Sequence, residues 1–104
     1  MIKACVSYKN NKYSEFKCIG HAGYGYKGND IVCAAVSMLV INTANAIEKL
    51  SDCDFVAQTD NDEIRYIFNS IPDEKATVLM DALVLGLNEV QKDYGKKYLN
   101  LVIQ

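Results

Sequence analysis

Proline and histidine are nearly missing from this chain: one of each, with six glycines, in 104 residues. So little proline and glycine excludes collagen-like and linker-like sequence, and a hydrophobic share of 50% excludes intrinsic disorder. There is no basic excess either. A net charge of −2 leaves no footprint for a nucleic acid backbone, so no direct nucleic acid binding is expected. The four cysteines stand at 5, 18, 33 and 53, and no two make the Cys-x-x-Cys pair of most zinc ribbons and thioredoxin-like sites. With one histidine, a Cys₃His zinc site is arithmetically possible but has no support in the spacing. Neither a metal nor a disulfide framework is expected. No export signal opens the chain, which instead alternates Ile2, Ala4, Val6 and Tyr8 with Lys3, Cys5, Ser7 and Lys9, the grammar of a strand. The most apolar stretch, 31–41, is about half a membrane span and reads as a buried helix, so no membrane association is expected. The expected compartment is the cytoplasm, where thiols stay reduced.

What is present is regular. Residues 2–9 and 13–21 read as strands joined by a turn at Asn10 and Asn11, residues that tolerate left-handed backbone. A glycine-rich loop without periodicity fills 20–30 and is expected to be mobile. The spacing then predicts a helix over 31–50, capped by Asn29 or Asp30, with Val32, Ala35, Val36, Leu39, Thr43, Ala46, Ile47 and Leu50 at 3- and 4-residue intervals. Its first half is apolar nearly all round, which predicts burial against a sheet. A second hairpin follows at 55–59 and 63–69. A second helix begins after Asp73 and carries the stripe Ala76, Leu79, Met80, Leu83, Val84, Leu87, Val90 and Tyr94, with Gly95 to end it. A last strand covers 98–103. The order ββαββαβ with hairpin-length links predicts one α+β domain over 1–104, two helices packed on a mainly antiparallel five-stranded sheet.

One pair of residues carries chemistry. His21, the only histidine, closes a strand just before the glycine loop, and Cys33 lies in the first helical turn just after it. A thiol at a helix N-terminus lies near unsatisfied N–H groups and the positive end of the helix dipole, which favours a nucleophilic thiolate. The loop is long enough to turn back and bring imidazole and thiol together. Cysteine catalysis needs this set: a thiol, a histidine base and N–H groups for an oxyanion, here expected from the backbone around Cys33. Ser37, one turn on, shares a helix face with Cys33. Asp30 reads as a cap, a third catalytic member, or both. Cys5, Cys18 and Cys53 read as structural or incidental. Tyr24 and Tyr26 are candidates for a lid over substrate.

The segment Gly20-His21-Ala22-Gly23 with Gly28-Asn29-Asp30-Ile31-Val32-Cys33-Ala34-Ala35-Val36-Ser37, continuing to Asn45-Ala46-Ile47, resembles the ribosomal-processing cysteine proteases of Bacillota and related bacteria. The resemblance implies an endopeptidase that cuts a short N-terminal extension, after a phenylalanine-bearing motif, from large-subunit ribosomal protein twenty-seven. It further implies a homodimer and a Cys/His dyad working without cofactor or metal. His21 would be the base and Cys33 the nucleophile, with Asp30 and Ser37 in support. The loop, with Gly23, Tyr24, Gly25, Tyr26 and Gly28, would close over substrate. It reads Gly-Tyr-Gly-Tyr-Lys-Gly where the family often has acidic residues. Two other readings of the same residues stand beside this one: a ribosome-associated binding module without catalysis, and a redox-sensing thiol protein.

Overall fold

A computed structural model describes residues 1–26 and 28–104; Lys27, inside the glycine loop, lies outside the described residues. The chain order is β1 (Ile2–Lys9), β2 (Lys12–Ile19), α1 (Ile31–Leu50), β3 (Phe55–Asp60), β4 (Glu63–Phe68), α2 (Glu74–Tyr94) and β5 (Leu99–Ile103). The expected α+β class and ββαββαβ order are what the chain adopts. The strands form one sheet in the order β3-β4-β2-β1-β5. All neighbours are antiparallel except β1 and β5, which run parallel with Ile2 opposite Leu99.

Local chemistry accounts for the ends of these elements. Asn10 and Asn11 both take positive φ (53° and 64°), the conformation a tight hairpin turn with the sheet's twist requires. Asp30 caps α1 by accepting from the N–H groups of Val32 and Cys33, and Asp73 caps α2 through Ala76 N–H. Gly95, at φ 108°, ends α2. Strand β2 stops at Ile19, short of the expected 21. Gly20 leaves the extended region at φ +101°, and a β-carbon there would stand 2.6 Å from the Met1 carbonyl oxygen, so only glycine fits. His21 therefore projects from the start of the loop and not from the strand.

Both helices cover one face of the sheet. Strand residues that point toward them, Ile2, Ala4, Val6, Phe16, Cys18, Tyr66 and Leu99, are buried with Val32, Val36, Val40 and Ile47 of α1 and Ala76, Met80, Leu83 and Leu87 of α2. Tyr66 is at the centre. Its ring lies 4.9 Å from Phe16 and 5.9 Å from Phe55, centroid to centroid, and its hydroxyl donates to the Val40 carbonyl of α1. Helices α1 and α2 approach closely at Gly86, where a β-carbon would meet the Leu39 side chain at 2.9 Å.

One expectation is corrected. The first half of α1 is not buried all round: Met38 is 66% exposed and Ile31 and Ile41 are about half exposed. In a two-layer domain the sheet covers one side of the helix and α2 part of a second, which leaves the third in solvent. Over its full length α1 is long and apolar enough to cross a membrane by composition alone. Its Val32–Val36–Val40–Ile47 stripe is spent on the protein's own core.

Candidate active site

The site forms where β2, the glycine loop, the start of α1 and the β3–β4 turn meet. Cys33 is half buried in the first turn of α1. Its sulfur accepts a hydrogen bond of 3.2 Å from the backbone N–H of Ala22, the buried residue next to His21. The loop folds back far enough to lay Ala22, the neighbour of His21, against the thiol. His21 itself is turned to solvent. Its Nε2 lies 3.1 Å from Asp62 Oδ1, on the turn between β3 and β4.

Two recesses share one wall. A cavity of about 200 Å³ runs toward the sheet between Ile2, Cys18, Val36, Val40 and Ile64, with Thr59 and Asn61 at its rim. A wider one of about 690 Å³ runs under the loop past Gly23, Gly25, Gly28, Asp30 and Ala34. His21, Cys33, Ser37 and Asp62 line both. The imidazole, the thiol and the serine predicted from spacing are therefore gathered in one cleft, apolar at one end and backbone-lined at the other.

Asp30 links helix to loop. Oδ1 accepts from Val32 and Cys33 N–H, both at 3.0 Å, while Oδ2 accepts from Tyr24 at 2.9 Å and Gly25 at 3.3 Å. These bonds, Cys33 N–H first, hold the carboxyl below its ordinary value of 3.8. The sign follows: stabilisation from Asp30 is complete above 3.8 and is lost as pH falls below it. Asp30→Asn keeps one carbonyl oxygen for the helix N–H groups and loses the second acceptor. The expected outcome is an intact helix start with faster amide exchange at Tyr24 and Gly25; protection equal to wild type at those two amides would contradict it.

Asp30 thus holds the loop at Tyr24 and Gly25, and the Tyr24 ring packs edge-on against Tyr94 at 5.3 Å and Tyr98 at 4.9 Å. Tyr24 is a buttress to the C-terminal end of α2, whereas Tyr26 is 87% exposed; neither lines the recesses. One expectation is corrected by these contacts: the Val32, Cys33 and Ala34 N–H groups at the head of α1 are not open to a ligand. Those of Val32 and Cys33 go to the Asp30 side chain and that of Ala34 goes to its carbonyl. The donor at the thiol is Ala22 N–H, which no residue pattern signalled, and Asp62 was likewise unmarked.

The other thiols are free; Cys18 lies in the wall of the narrower cavity, and Cys5 and Cys53 line neither recess. Burial pushes Cys18 up to about 11 and also raises Cys53, with Asp73 adding to it. A raised thiol carries less thiolate at any given pH, so iodoacetamide at pH 8 modifies Cys18 last, read by peptide mapping. Labelling of Cys18 ahead of Cys33 would contradict this. No group of three or more His, Cys, Asp or Glu that could hold a metal occurs among the described residues.

A half-buried thiol at the head of a helix, one loop from the sole histidine, inside an open cleft on a two-layer α+β scaffold, is the layout of a small thiol hydrolase. Residues 1–99 match the family model of cysteine protease Prp, and the chain belongs to that family of cysteine proteases. The ribosomal processing cysteine protease Prp of Bacillus subtilis (strain 168) is 26% identical over 102 residues, covering 90% of each chain. Among solved structures, the essential ribosomal processing protease Prp from S. aureus, in complex with a covalently linked product peptide, superposes with a TM-score of 0.94 at 21% identity over both full chains. SMU.848 from Streptococcus mutans superposes with a TM-score of 0.83 at 34% identity, covering all of this chain and 94% of that one.

Proposed function

We propose that this protease is a cytoplasmic, homodimeric processing endopeptidase that removes the N-terminal extension of large-subunit ribosomal protein twenty-seven, with Cys33 as nucleophile and His21 as base. The observation that carries the reading is the shared cleft: Cys33, His21 and Ser37 line the same two recesses, and the thiol already accepts a backbone N–H. The relatives support the substrate class. The B. subtilis protein bears the name of a ribosomal processing protease, and the S. aureus protein holds a substrate peptide in one structure and a covalently linked product peptide in another.

The chemistry follows from those atoms. His21 takes the Cys33 proton, and the thiolate attacks the scissile carbonyl carbon. Ala22 N–H, 3.2 Å from the sulfur, is a donor for the oxyanion once the sulfur bonds to substrate and releases it. The imidazolium returns its proton to the leaving amine, which departs with the downstream chain. Water, deprotonated by His21, then hydrolyses the thioester and regenerates the thiol. Ser37, exposed beside Cys33, is placed to hydrogen-bond the substrate. Gly23, Gly25 and Gly28 line the wider recess, where backbone can run beside a bound peptide, and the apolar recess suits the substrate's phenylalanine.

The test is cleavage. A synthetic peptide spanning the extension junction, incubated with the protein under reducing conditions, is expected to give two fragments whose masses place the cut. An intact peptide that nevertheless binds would favour the non-catalytic module. No cleavage and no binding would overturn the reading altogether.

A further inference from the structure

The geometry points to Asp62 as the residue that positions His21, turning the expected dyad into a Cys33–His21–Asp62 relay. This rests on the assignment of Cys33 and His21 above. Three observations carry it. The Asp62 carboxylate oxygen Oδ1 lies 3.1 Å from Nε2 of His21, within reach of a proton carried on that nitrogen. The turn that bears Asp62 is fixed relative to His21, because Gly20 N–H donates to the Asp62 carbonyl at 3.2 Å and the β2–β4 ladder closes with Ile19 opposite Glu63. Finally, Asp62 lines both recesses together with Cys33 and His21, so the pair faces the space that substrate would fill.

The consequence is a choice of nitrogen. A neutral imidazole has one N–H and one lone pair. With the proton held on Nε2 by Asp62, Nδ1 is the lone-pair nitrogen, and it is Nδ1 that takes the proton of the Cys33 thiol and later returns it to the leaving amine. The carboxylate also faces the imidazolium formed in between and stabilises its charge without itself taking the proton. Side-chain exposure of 72% for His21 and 59% for Asp62 makes the pair weak as a source of folding stability. Its value lies in orientation, which grows once a bound peptide excludes water from the cleft.

The experiment compares wild type, Asp62→Ala and Asp62→Asn on the junction peptide, with Cys33→Ala and His21→Ala as controls, and records ring ¹⁵N spectra of the single histidine. Asp62→Ala is expected to lower kcat about tenfold with KM changed by less than about twofold, a modest loss for a triad because the partner is solvent-exposed. Asp62→Asn keeps an oxygen acceptor for Nε2–H but not the negative charge, and is expected to give a kcat between those of Asp62→Ala and wild type. In the spectra, wild type shows one protonated and one bare nitrogen with widely separated shifts, and in Asp62→Ala the two move toward each other as tautomers mix. An Asp62→Ala enzyme with wild-type kcat and an unchanged spectrum overturns the assignment, as does a loss confined to KM, which would make Asp62 a substrate contact. Activity that survives Cys33→Ala overturns the dyad, and this inference with it. Loss in both control variants alongside an unaffected Asp62→Ala overturns this inference alone.

Discussion

Cys33→Ala is expected to reduce kcat for junction-peptide hydrolysis by at least about 10⁴-fold, which is about 5 kcal/mol of barrier, while the protein stays folded. The sulfur is the atom that bonds to substrate, so nothing in the cleft replaces it. Its removal is structurally mild. The side chain is half buried at the edge of the core, and its one polar contact is a single N–H···S bond from Ala22. His21→Ala is expected to cost less, about 10²- to 10⁴-fold, because the attacking atom remains and only proton transfer is lost. With a largely exposed side chain, His21 contributes within about 0.5 kcal/mol to stability. Steady-state kinetics beside urea denaturation separates the two quantities. A Cys33→Ala protein that is folded and still cuts the peptide would remove the thiol from the mechanism.

The largest effect on stability is expected at Tyr66. It has no exposed surface, contacts Phe16 and Phe55, and hydrogen-bonds across the layers to the Val40 carbonyl. Tyr66→Ala deletes an entire ring under α1 and is expected to cost about 3–5 kcal/mol, from lost burial plus the cavity left behind. For a domain held by roughly 5–15 kcal/mol, that is a large share of the total. Tyr66→Phe keeps the ring and loses only the hydroxyl bond. The expected cost is about 1 kcal/mol, because the Val40 carbonyl, at an interior position of the helix, still has its own backbone partner. The urea midpoint should therefore fall slightly for phenylalanine and steeply for alanine at unchanged slope. Similar midpoints for the two variants would mean that the hydroxyl, not the ring, joins the layers.

Much of this protein is legible in its residues because the forces that set it are local. Asp30 as a cap, Asn10 and Asn11 as a turn and Gly95 as a stop each depend on neighbours within a few positions. The 3- and 4-residue spacing of Val32, Val36, Val40 and Ile47 marks the face of α1 that packs, while Ile31, Met38 and Ile41 on its other sides stay exposed. The placing of Cys33 near the histidine's end of the loop follows from the same local grammar, since one short loop joins them.

Local patterning therefore sets the list and order of elements, and it places a thiol and an imidazole at the two ends of a loop. The tertiary structure alone decided what those groups touch. Asp62 reaches His21 because the sheet order β3-β4-β2-β1-β5 lays β4 beside β2, and Tyr24 finds Tyr94 and Tyr98 because α2 and β5 return under the loop. The Val32 and Cys33 amides at the head of α1 are occupied by the same Asp30 carboxylate that holds the loop, a sharing that becomes visible only when both are folded against each other. Periodicity reports the face of a helix or strand that is buried. It carries no information about which distant strand becomes its neighbour, because that pairing is settled by the packing of the whole core.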